Sequence, residues 1–302
     1  MASWRKATGT TAPADDPTRR GLLHPAETEQ TANLRRDAPV ADRLQPFVER
    51  YWSVSWDLTG RQPFRSEVLS HPSVNVSVES GTHPRFGFAL PAVLVHAVVT
   101  RRFTVDLVGA GRTIAVKFRP GGFAAFTGVL PARNTVAPLR SEFALEPTVL
   151  LRDVLAEGDH DAAAAVLDAA LEVLDPEPSR AYLDLLELLD RMAADRSLVR
   201  VDQVAALGAM SVRSLQRLFA GYVGVSPKAA LARYRLQDAA AVIDAGAFGD
   251  LAELAASLGW FDQAHFSRDF RAVVGTTPSA YLQRARQTTG SAAARSPAPG
   301  PA

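Results

Sequence analysis

The sequence contains no cysteine among its 302 residues. Without cysteine the chain cannot form disulfides, thiolate metal sites or a cysteine nucleophile, and it suits a reducing compartment. The six histidines are scattered and never form a His-x-His pair, so they do not resemble the clustered ligands of a metal site. A glycine-rich phosphate loop and a nucleophile elbow are missing as well. These absences argue against an enzyme and against a bound cofactor.

Long apolar runs and a strong excess of one charge are also missing. The most apolar stretch, FGFALPAVLVHAVV from Phe86, is too short to span a bilayer and is interrupted by Pro91 and His96. The N-terminus lacks the apolar segment of a signal peptide, so we expect a soluble, cytoplasmic protein that does not enter membranes. The formal net charge is only +1. Any contact with nucleic acid must therefore come from charge that is placed locally.

Strand patterns dominate the first half of the chain. The segments YWSVSWDL, VNVSVE and TIAVKF are rich in β-branched and aromatic residues, and glycines and prolines separate them as turns would. The sequence predicts a β-rich domain over residues 34–175, which ends in helices. Residues 1–33 are polar and rich in proline and threonine, so we expect a disordered tail there.

Helical patterns take over from Ser141. Pro176 and Pro178 interrupt them, and Ser179 then occupies the N-cap position of an amphipathic helix. We expect an all-α domain over residues 178–286 and a second disordered tail over residues 287–302. The predicted fold class is thus α+β, with a β-rich N-terminal domain and a helical C-terminal domain.

An internal repeat occupies the predicted helical domain. The segment VAALGAMSVRSLQRLFAGYVGVSP, from Val204, aligns with AASLGWFDQAHFSRDFRAVVGTTP, from Ala255. The alignment has no gap and a constant offset, with Phe219 matching Phe270. Several further matches are identical or chemically similar residues, which indicates an internal duplication.

Each copy has the pattern of a helix-turn-helix unit. A short helix ends at a glycine, which tolerates a left-handed backbone, and a capping residue follows, Ser211 in the first copy and Asp262 in the second. In the next helix, apolar residues recur on one face, and the polar residues of the other face suit base edges and phosphates. The predicted DNA contacts are Arg213, Ser214, Gln216, Arg217, Gln263, His265, Ser267 and Arg268.

A polar helix face is ordinarily just a solvated surface, so one such pattern would carry little weight. Here the two copies are joined by LARYRLQDAAAVIDAG, from Leu231, which has the length and periodicity of a rigid connector. Such a connector would let both reading helices enter successive turns of the same groove, about 34 Å apart. We therefore predict double-stranded DNA as a partner of this domain.

Residues Arg180–Arg286 resemble the DNA-binding domain of the AraC/XylS family of bacterial transcription regulators. The segments LQRLFAGYVGVSPKAALARYRLQDA and LAELAASLGWFDQAHFSRDFRAVVGTTPSAY carry the resemblance. It implies that the second helix of each unit reads DNA and that RNA polymerase is a further partner. Ala264 departs from relatives that are often polar there, and Arg217 and its equivalent Arg268 could bind either phosphate or base. Some relatives accept methyl groups on cysteine, which this chain cannot do.

The resemblance also implies a cupin-like barrel ahead of the DNA-binding part, for sensing a small effector or for dimerisation. The predicted effector-binding residues are Trp52, Trp56, His71 and Asn75. Trp52 and Trp56 lie four residues apart, hence on the same face of a strand, where they could line a cavity or simply fill the core. A homodimer could form through the barrel or through the helices of residues 141–174. The alternative function is an interaction or ligand-binding scaffold whose DNA-binding domain has degenerated.

Overall fold

Short antiparallel strands form the N-terminal domain in the computed structural model, which describes residues 21–36, 38–140 and 145–293. The strands are β1 (Leu22–Leu23), β2 (Asn33–Arg35), β3 (Val48–Leu58), β4 (Phe64–Val68), β5 (Asn75–Gly81), β6 (Ala92–His96), β7 (Phe103–Leu107), β8 (Gly109–Phe118) and β9 (Val136–Pro138). One sheet has the order β1-β4-β7, and the other has the order β2-β3-β8-β5-β6-β9. The predicted β-rich domain is confirmed.

The alternating residues of strand β5 show that the two faces of the larger sheet differ in polarity. Its Val76 and Val78 lie in the main hydrophobic core. The polar residues that alternate with them, Ser77 and Glu79, are also buried and are joined by a hydrogen bond of 2.8 Å. Because successive side chains of a strand point to opposite faces, one face of this sheet is apolar, and the other carries polar groups towards the smaller sheet.

Helices cover the apolar face and build the C-terminal domain. The helices of the N-terminal part are α1 (Pro25–Glu29), α2 (Gly122–Thr127), α3 (Pro147–Ala156) and α4 (His160–Glu172). The helices that follow are α5 (Arg180–Ala194), α6 (Val201–Leu207), α7 (Val212–Leu218), α8 (Pro227–Ala245), α9 (Leu251–Ser257), α10 (Gln263–Val274) and α11 (Pro278–Ala293). A π-helical turn, Phe219–Val223, continues α7. Within the described residues, no helix is long and apolar enough to cross a membrane.

The internal repeat is present, but the second copy has one residue more than the first. Helices α6 and α9 begin at Val201 and Leu251, fifty residues apart, whereas α7 and α10 begin at Val212 and Gln263, fifty-one residues apart. The gapless alignment predicted from the sequence is therefore wrong by one position, and the extra residue lies in the turn between the helices.

The second residue after the first helix of each unit has a left-handed backbone. It is Ala209 in the first copy, with φ of 47°, and Gly259 in the second, with φ of 78°. Gly208, which the sequence pattern placed in this conformation, instead has φ of −86°. A left-handed backbone is strained for alanine and nearly free of strain for glycine, so only the second copy uses the residue best suited to this turn.

The turns diverge immediately after the left-handed residue. In the first copy, Met210 alone separates it from the N-cap residue Ser211, whereas Trp260 and Phe261 both precede the N-cap residue Asp262 in the second copy. Met210 and Trp260 are equivalent, because the backbone N–H of each donates to the carbonyl five residues earlier. The additional residue of the second turn is therefore Phe261.

Both predicted tails are shorter than the sequence indicated. The prediction of disorder up to residue 33 is wrong from residue 21 onwards, because Leu22 pairs with Val68 of β4 and α1 follows directly. The prediction of disorder from residue 287 is wrong as far as Ala293, where α11 ends. The apolar pair at residues 22–23 is too short to give a periodic signal, yet both side chains are buried. Residues 1–20 and 294–302 lie outside the described residues.

One hydrophobic core crosses the predicted boundary at residues 175–178. Tyr182 of α5 stacks on Phe47 of the β-rich domain with ring centroids 5.8 Å apart, and its hydroxyl donates to the carbonyl of Pro46 at 2.6 Å. A second cluster surrounds α9 and α10, and it includes Leu23 and Leu69 from the N-terminal domain. The second helix-turn-helix unit therefore depends on the N-terminal domain for part of its core.

We expect the substitution Leu69→Ala to destabilise the protein by about 2–5 kcal/mol, because it removes a fully buried leucine and leaves a cavity. Urea denaturation of the full chain, followed by circular dichroism, measures this loss. Val173→Ala is the control, since Val173 is 83% exposed and its truncation should cost about 0.5 kcal/mol or less. Equal stabilities for the two variants would contradict the assignment of Leu69 to this core.

Candidate nucleic-acid interface

Helix α7, which follows the turn of the first helix-turn-helix unit, presents a polar face to solvent. The hydroxyl of Ser211 accepts a hydrogen bond from the backbone N–H of Ser214, which fixes the start of the helix as the sequence predicted. Leu215 is buried on the inner face, whereas Arg213, Gln216 and Arg217 are exposed on the outer face. Ser214 is half-buried, with its hydroxyl 2.9 Å from that of Ser211.

Helix α10 repeats this arrangement with a stronger apolar anchor. Asp262 caps the helix by accepting from the backbone N–H of His265 at 2.6 Å. Phe266 and Phe270 are fully buried, and the ring of Phe266 lies 5.0 Å from that of Trp260. The outer face carries the predicted contacts Gln263, His265 and Arg268, which are exposed, and Ser267, which is half-buried.

Three arginines on these outer faces are available to an external partner. Arg213, Arg217 and Arg268 make no ion pair and no hydrogen bond with any residue in the described part of the chain. Many other arginines in the described residues are ion-paired, as Arg284 is with Glu27 at 2.6 Å. An unpaired guanidinium is a strong donor to phosphate oxygens and to guanine.

Asp269 is a residue of this face that the sequence analysis missed. Its carboxylate lies 3.3 Å from the imidazole of His265 and accepts a hydrogen bond from the indole N–H of Trp260 at 2.9 Å. The guanidinium of Arg235 in turn lies 3.8 Å from the centre of the Trp260 ring. His265 is therefore oriented by a chain of contacts that begins in α8. The spacing of four residues between His265 and Asp269 was the available signal.

Helix α8 connects the two units without interruption. It has 19 residues, and its N-terminus is capped by Ser226, so its length is about 28 Å. It contacts α5 and α6 of the first unit and α10 and α11 of the second. The predicted connector from Leu231 to Ala245 lies entirely within this helix. Helix α10 thus packs on α8 directly, whereas α7 is joined to α8 through α6 and the π-helical turn.

The N-terminal domain binds directly to this connector. Arg233 of α8 donates to the carbonyls of Ser70 at 2.6 Å and Arg101 at 2.9 Å, and the amide of Gln237 donates to the carbonyl of Leu69. Arg233 is buried, and burial lowers its pKa to about 10. The guanidinium therefore stays charged at neutral pH and depends on these carbonyls for its hydrogen bonds.

A second set of contacts joins the N-terminal domain to α10 and α11. The backbone N–H of Arg102 donates to the carbonyl of Val273 at 2.8 Å. Glu67 of β4 forms ion pairs with Arg102 at 2.8 Å and with Arg284 of α11 at 2.6 Å. The orientation of the second unit relative to the β-rich domain is therefore fixed by charge as well as by apolar packing.

The space between the two sheets is a cavity of about 140 Å³. The indole N–H of Trp52 donates to the amide oxygen of Asn75 at 3.0 Å, and both residues line this cavity. The structure thus brings two of the four predicted effector residues together. Their contact fixes the orientation of both side chains at the cavity wall.

The other two predicted effector residues lie elsewhere, which corrects that part of the prediction. Trp56 is buried in a small core with Leu58 and Leu107, and its indole N–H donates to the carbonyl of Val108 at 3.2 Å. The ring of His71 packs edge-on against Tyr234 of α8, 4.7 Å away, beside a separate cavity of about 280 Å³ between the domains. The alternation of β3 puts Trp56 on the same face as Trp52 but beyond the end of the cavity.

A charged cluster in the cavity wall was not predicted from the sequence. Glu79 contacts Arg85 at 2.7 Å and His96 at 3.2 Å. Burial opposes ionisation of Glu79, but the hydrogen bond with His96 and the charge of Arg85 outweigh it, so the pKa of Glu79 is lowered. The only feature of the sequence that indicated this cluster was the alternation that places Glu79 on the inward face of β5.

Lys117 of β8 adds a second buried charge to the same wall. It pairs with Glu49 at 2.8 Å, yet burial lowers the pKa of Lys117 to about 8. Both pairs lie in a protein interior, where charges interact strongly. In the described residues, no group of three or more histidine and acidic side chains is arranged to hold a metal ion.

Two family models match the chain. Residues 204–284 match the model of a helix-turn-helix domain, and residues 37–136 match that of a domain of unknown function, DUF6597. The first match covers the connector, the second helix-turn-helix unit, the first unit from residue 204 onwards, and the two segments that carry the resemblance to the AraC/XylS family. The C-terminal part of the chain is an AraC-type DNA-binding domain. The AraC-type domain and the β-rich domain ahead of it agree with the predicted fold class.

Several solved structures are similar to the chain, at low sequence identity. A transcriptional regulator with an AraC-type DNA-binding domain, from Chromobacterium violaceum, is 25% identical over 34% of this chain and 93% of its own, with a TM-score of 0.32. ToxT from Vibrio cholerae is 10% identical over 83% of this chain and 96% of its own, with a TM-score of 0.39. A second crystal form of ToxT, at 11% identity over 83% and 97% of the two chains, gives 0.40. No curated protein sequence matches the chain.

We expect Arg217→Ala and Arg268→Ala each to weaken DNA binding. If the arginine contacts a phosphate, the loss should be similar for all sequences, and the salt dependence should fall by about one unit in slope. If it contacts guanine, discrimination at one base pair should fall by about 1–3 kcal/mol. Fluorescence anisotropy at several salt concentrations distinguishes these results.

Arg152→Ala is the matched control for both arginine variants, because Arg152 is an exposed arginine of α3 that pairs with Asp153. It should bind DNA as the unmodified protein does. Unchanged binding in both the Arg217 and Arg268 variants would contradict the assignment of the outer helix faces.

Proposed function

We propose that this DNA-binding transcription regulator recognises its operator by placing α7 and α10 in two adjacent major-groove segments. The observation that carries the proposal is that α10 packs on α8 and that α7 is joined to α8 through the π-helical turn and α6, with the unpaired Arg213, Arg217 and Arg268 on the outer faces of the two reading helices. An α-helix fits the major groove, and its polar side chains can reach base edges there. In bacteria such a regulator works in the cytoplasm, where the chromosome lies.

The rigidity of the connector α8 supports the proposal that both α7 and α10 read DNA, and not only one of them. Helix α8 buries residues along its whole length, from Ala230 to Ile243, because both units and the N-terminal domain pack against it. A helix held in this way cannot bend between the units without losing those contacts. The separation of the two reading helices is therefore set by the fold, and it should match one turn of the duplex.

A scaffold with a degenerate DNA-binding domain is the competing function. Such a protein would be expected to lose the free basic side chains of its reading helices, whereas α7 and α10 keep them. We propose that the chain acts by binding rather than by catalysis. An interaction with RNA polymerase stays a prediction, and so does the formation of a homodimer.

A small effector in the N-terminal domain is the second part of the proposal. Four cationic side chains line the cavity between the sheets, Arg36, Arg50, Arg85 and Lys117. They outnumber the carboxylates that pair with them, since Glu79 pairs with Arg85, and Glu49 pairs with both Arg50 and Lys117. The rest of the lining includes apolar and aromatic side chains such as Phe86 and Phe103. A cavity of about 140 Å³ accommodates a molecule about the size of benzene. The effector that fits best is therefore a small, partly apolar anion.

Strand β4 supplies a path from this cavity to the DNA-binding domain. Ser66 and Val68 line the cavity. The residues on the opposite face, Glu67 and Leu69, contact Arg284 and the core of the second unit. A ligand that moves β4 would therefore act directly on the position of α10.

We expect one protomer to protect two major-groove segments about 10 bp apart. Changing His265 and Ser267 to alanine should relax sequence preference in one segment only, and changing Arg213 and Gln216 should relax it in the other. Footprinting on a duplex selected by the full chain from a randomised library measures this. Protection of one short segment, altered by mutations in one unit only, would mean that the other unit is a structural support.

We expect benzoate to raise the melting temperature of the full chain by a few degrees when present in large excess over its dissociation constant. Benzamide has the same shape without the charge and should raise it less. Asn75→Leu fills the cavity and removes a polar partner of Trp52, so it should abolish the response. Equal effects of benzoate and benzamide would contradict an anionic effector.

A further inference from the structure

Phe261 is the most exposed large apolar side chain in the described part of the protein, at 94%. Single apolar residues at a surface are normal and need no functional explanation. The position of this residue is what distinguishes it. Phe261 immediately precedes the N-cap residue Asp262 of α10, which is one of the two reading helices.

The structure shows that Phe261 is an addition to the turn. The first unit passes from Met210 directly to its N-cap residue, and the second unit has Phe261 between Trp260 and Asp262. Trp260 fills the core position that Met210 occupies in the first unit. The extra residue therefore adds nothing to the packing of the turn, and its side chain is directed into solvent.

The backbone on both sides of Phe261 is anchored. Trp260 is buried, packs on Phe266 and donates to Asp269. On the other side, the carboxylate of Asp262 accepts from the N–H of His265 at 2.6 Å. Phe261 is thus held in one place at the start of the helix, beside the predicted contacts Gln263 and His265.

The chemistry of this position favours a base over a phosphate. Phenylalanine has no donor for a phosphate oxygen, and the negative charge of the adjacent Asp262 repels one. The N-terminal residues of a reading helix approach base edges in the major groove. The apolar group that the major groove offers is the 5-methyl of thymine.

We infer that Phe261 is a DNA contact that packs on the 5-methyl group of a thymine in the segment read by α10. This inference rests on the proposed function, because it requires α10 to enter the major groove. It gives the second unit a specificity determinant that the first unit lacks.

Single replacement of thymine by deoxyuridine tests the contact, because deoxyuridine lacks only the methyl group. The duplex is first selected by the unmodified full chain from a randomised library, and each thymine is then replaced in turn. The unmodified protein should lose about three- to fivefold in affinity at one thymine, which corresponds to the burial of one methyl group. Phe261→Ala should bind the two forms of that duplex equally, and Phe261→Leu should keep part of the difference.

Val173→Ala is the matched control, because Val173 is an exposed apolar residue at the end of α4, outside the AraC-type domain. It should discriminate thymine from deoxyuridine as the unmodified protein does. Circular dichroism of each variant checks that it is folded.

Four results would overturn the inference. Full discrimination retained in Phe261→Ala would show that another residue contacts the methyl group. A uniform loss of affinity without any effect of deoxyuridine would indicate a sugar contact. Unchanged DNA binding together with reduced transcription in vitro would indicate a protein partner such as RNA polymerase. Failure of the unmodified chain to select any sequence would overturn the proposed function itself, and the inference with it.

Discussion

The arrangement of the protein depends on the burial of Arg233 at the junction between its domains. This side chain lies within α8, and no carboxylate in the described part of the chain pairs with it. Its charge is satisfied by the carbonyls of Ser70 and Arg101, both from the N-terminal domain. A hydrogen bond to a charged group contributes about 1.5–3 kcal/mol net, so these two bonds oppose separation of the domains at this point.

This junction explains why a ligand in the β-rich domain could influence DNA recognition. The two loops that receive Arg233 flank strands of the smaller sheet, and that sheet forms one wall of the cavity. The same sheet carries Glu67, which holds Arg102 and Arg284. The cavity and the connector of the reading helices are therefore separated by a single layer of strands, and a displacement of that layer changes its contacts with α8 and α11.

The sequence predicted the helical domain well because its signals are local. The caps Ser211 and Asp262 lie three residues before the N–H groups that they accept from, and the apolar positions Leu215 and Phe266 follow helical periodicity. The cavity was predicted poorly because its polar wall is assembled from strands distant in the chain. Glu79 and His96 carry no local pattern that distinguishes them from surface residues, and only the pairing of β5 with β6 brings them together.

The limits of pattern reading are also visible in the turns. Counting matches favoured a gapless repeat, whereas backbone hydrogen bonds and positive φ angles place one extra residue before α10. Similarly, Leu22 and Leu23 gave no periodic signal, because two residues are too few for one, although their pairing with β4 orders them. Such features depend on tertiary contacts that override local propensity.

The unequal turns add to the polarity that the proposed contacts give the molecule along DNA. The outer faces of α7 and α10 already differ, with Arg213 and Gln216 on one and Gln263 and His265 on the other, and Phe261 adds to this difference. With Phe261 on one unit only, reversing the protein exchanges two unlike surfaces, and the β-rich domain would then lie on the other flank of the site. The side on which neighbouring proteins meet the regulator is therefore set by the differences between the two reading helices, to which Phe261 adds.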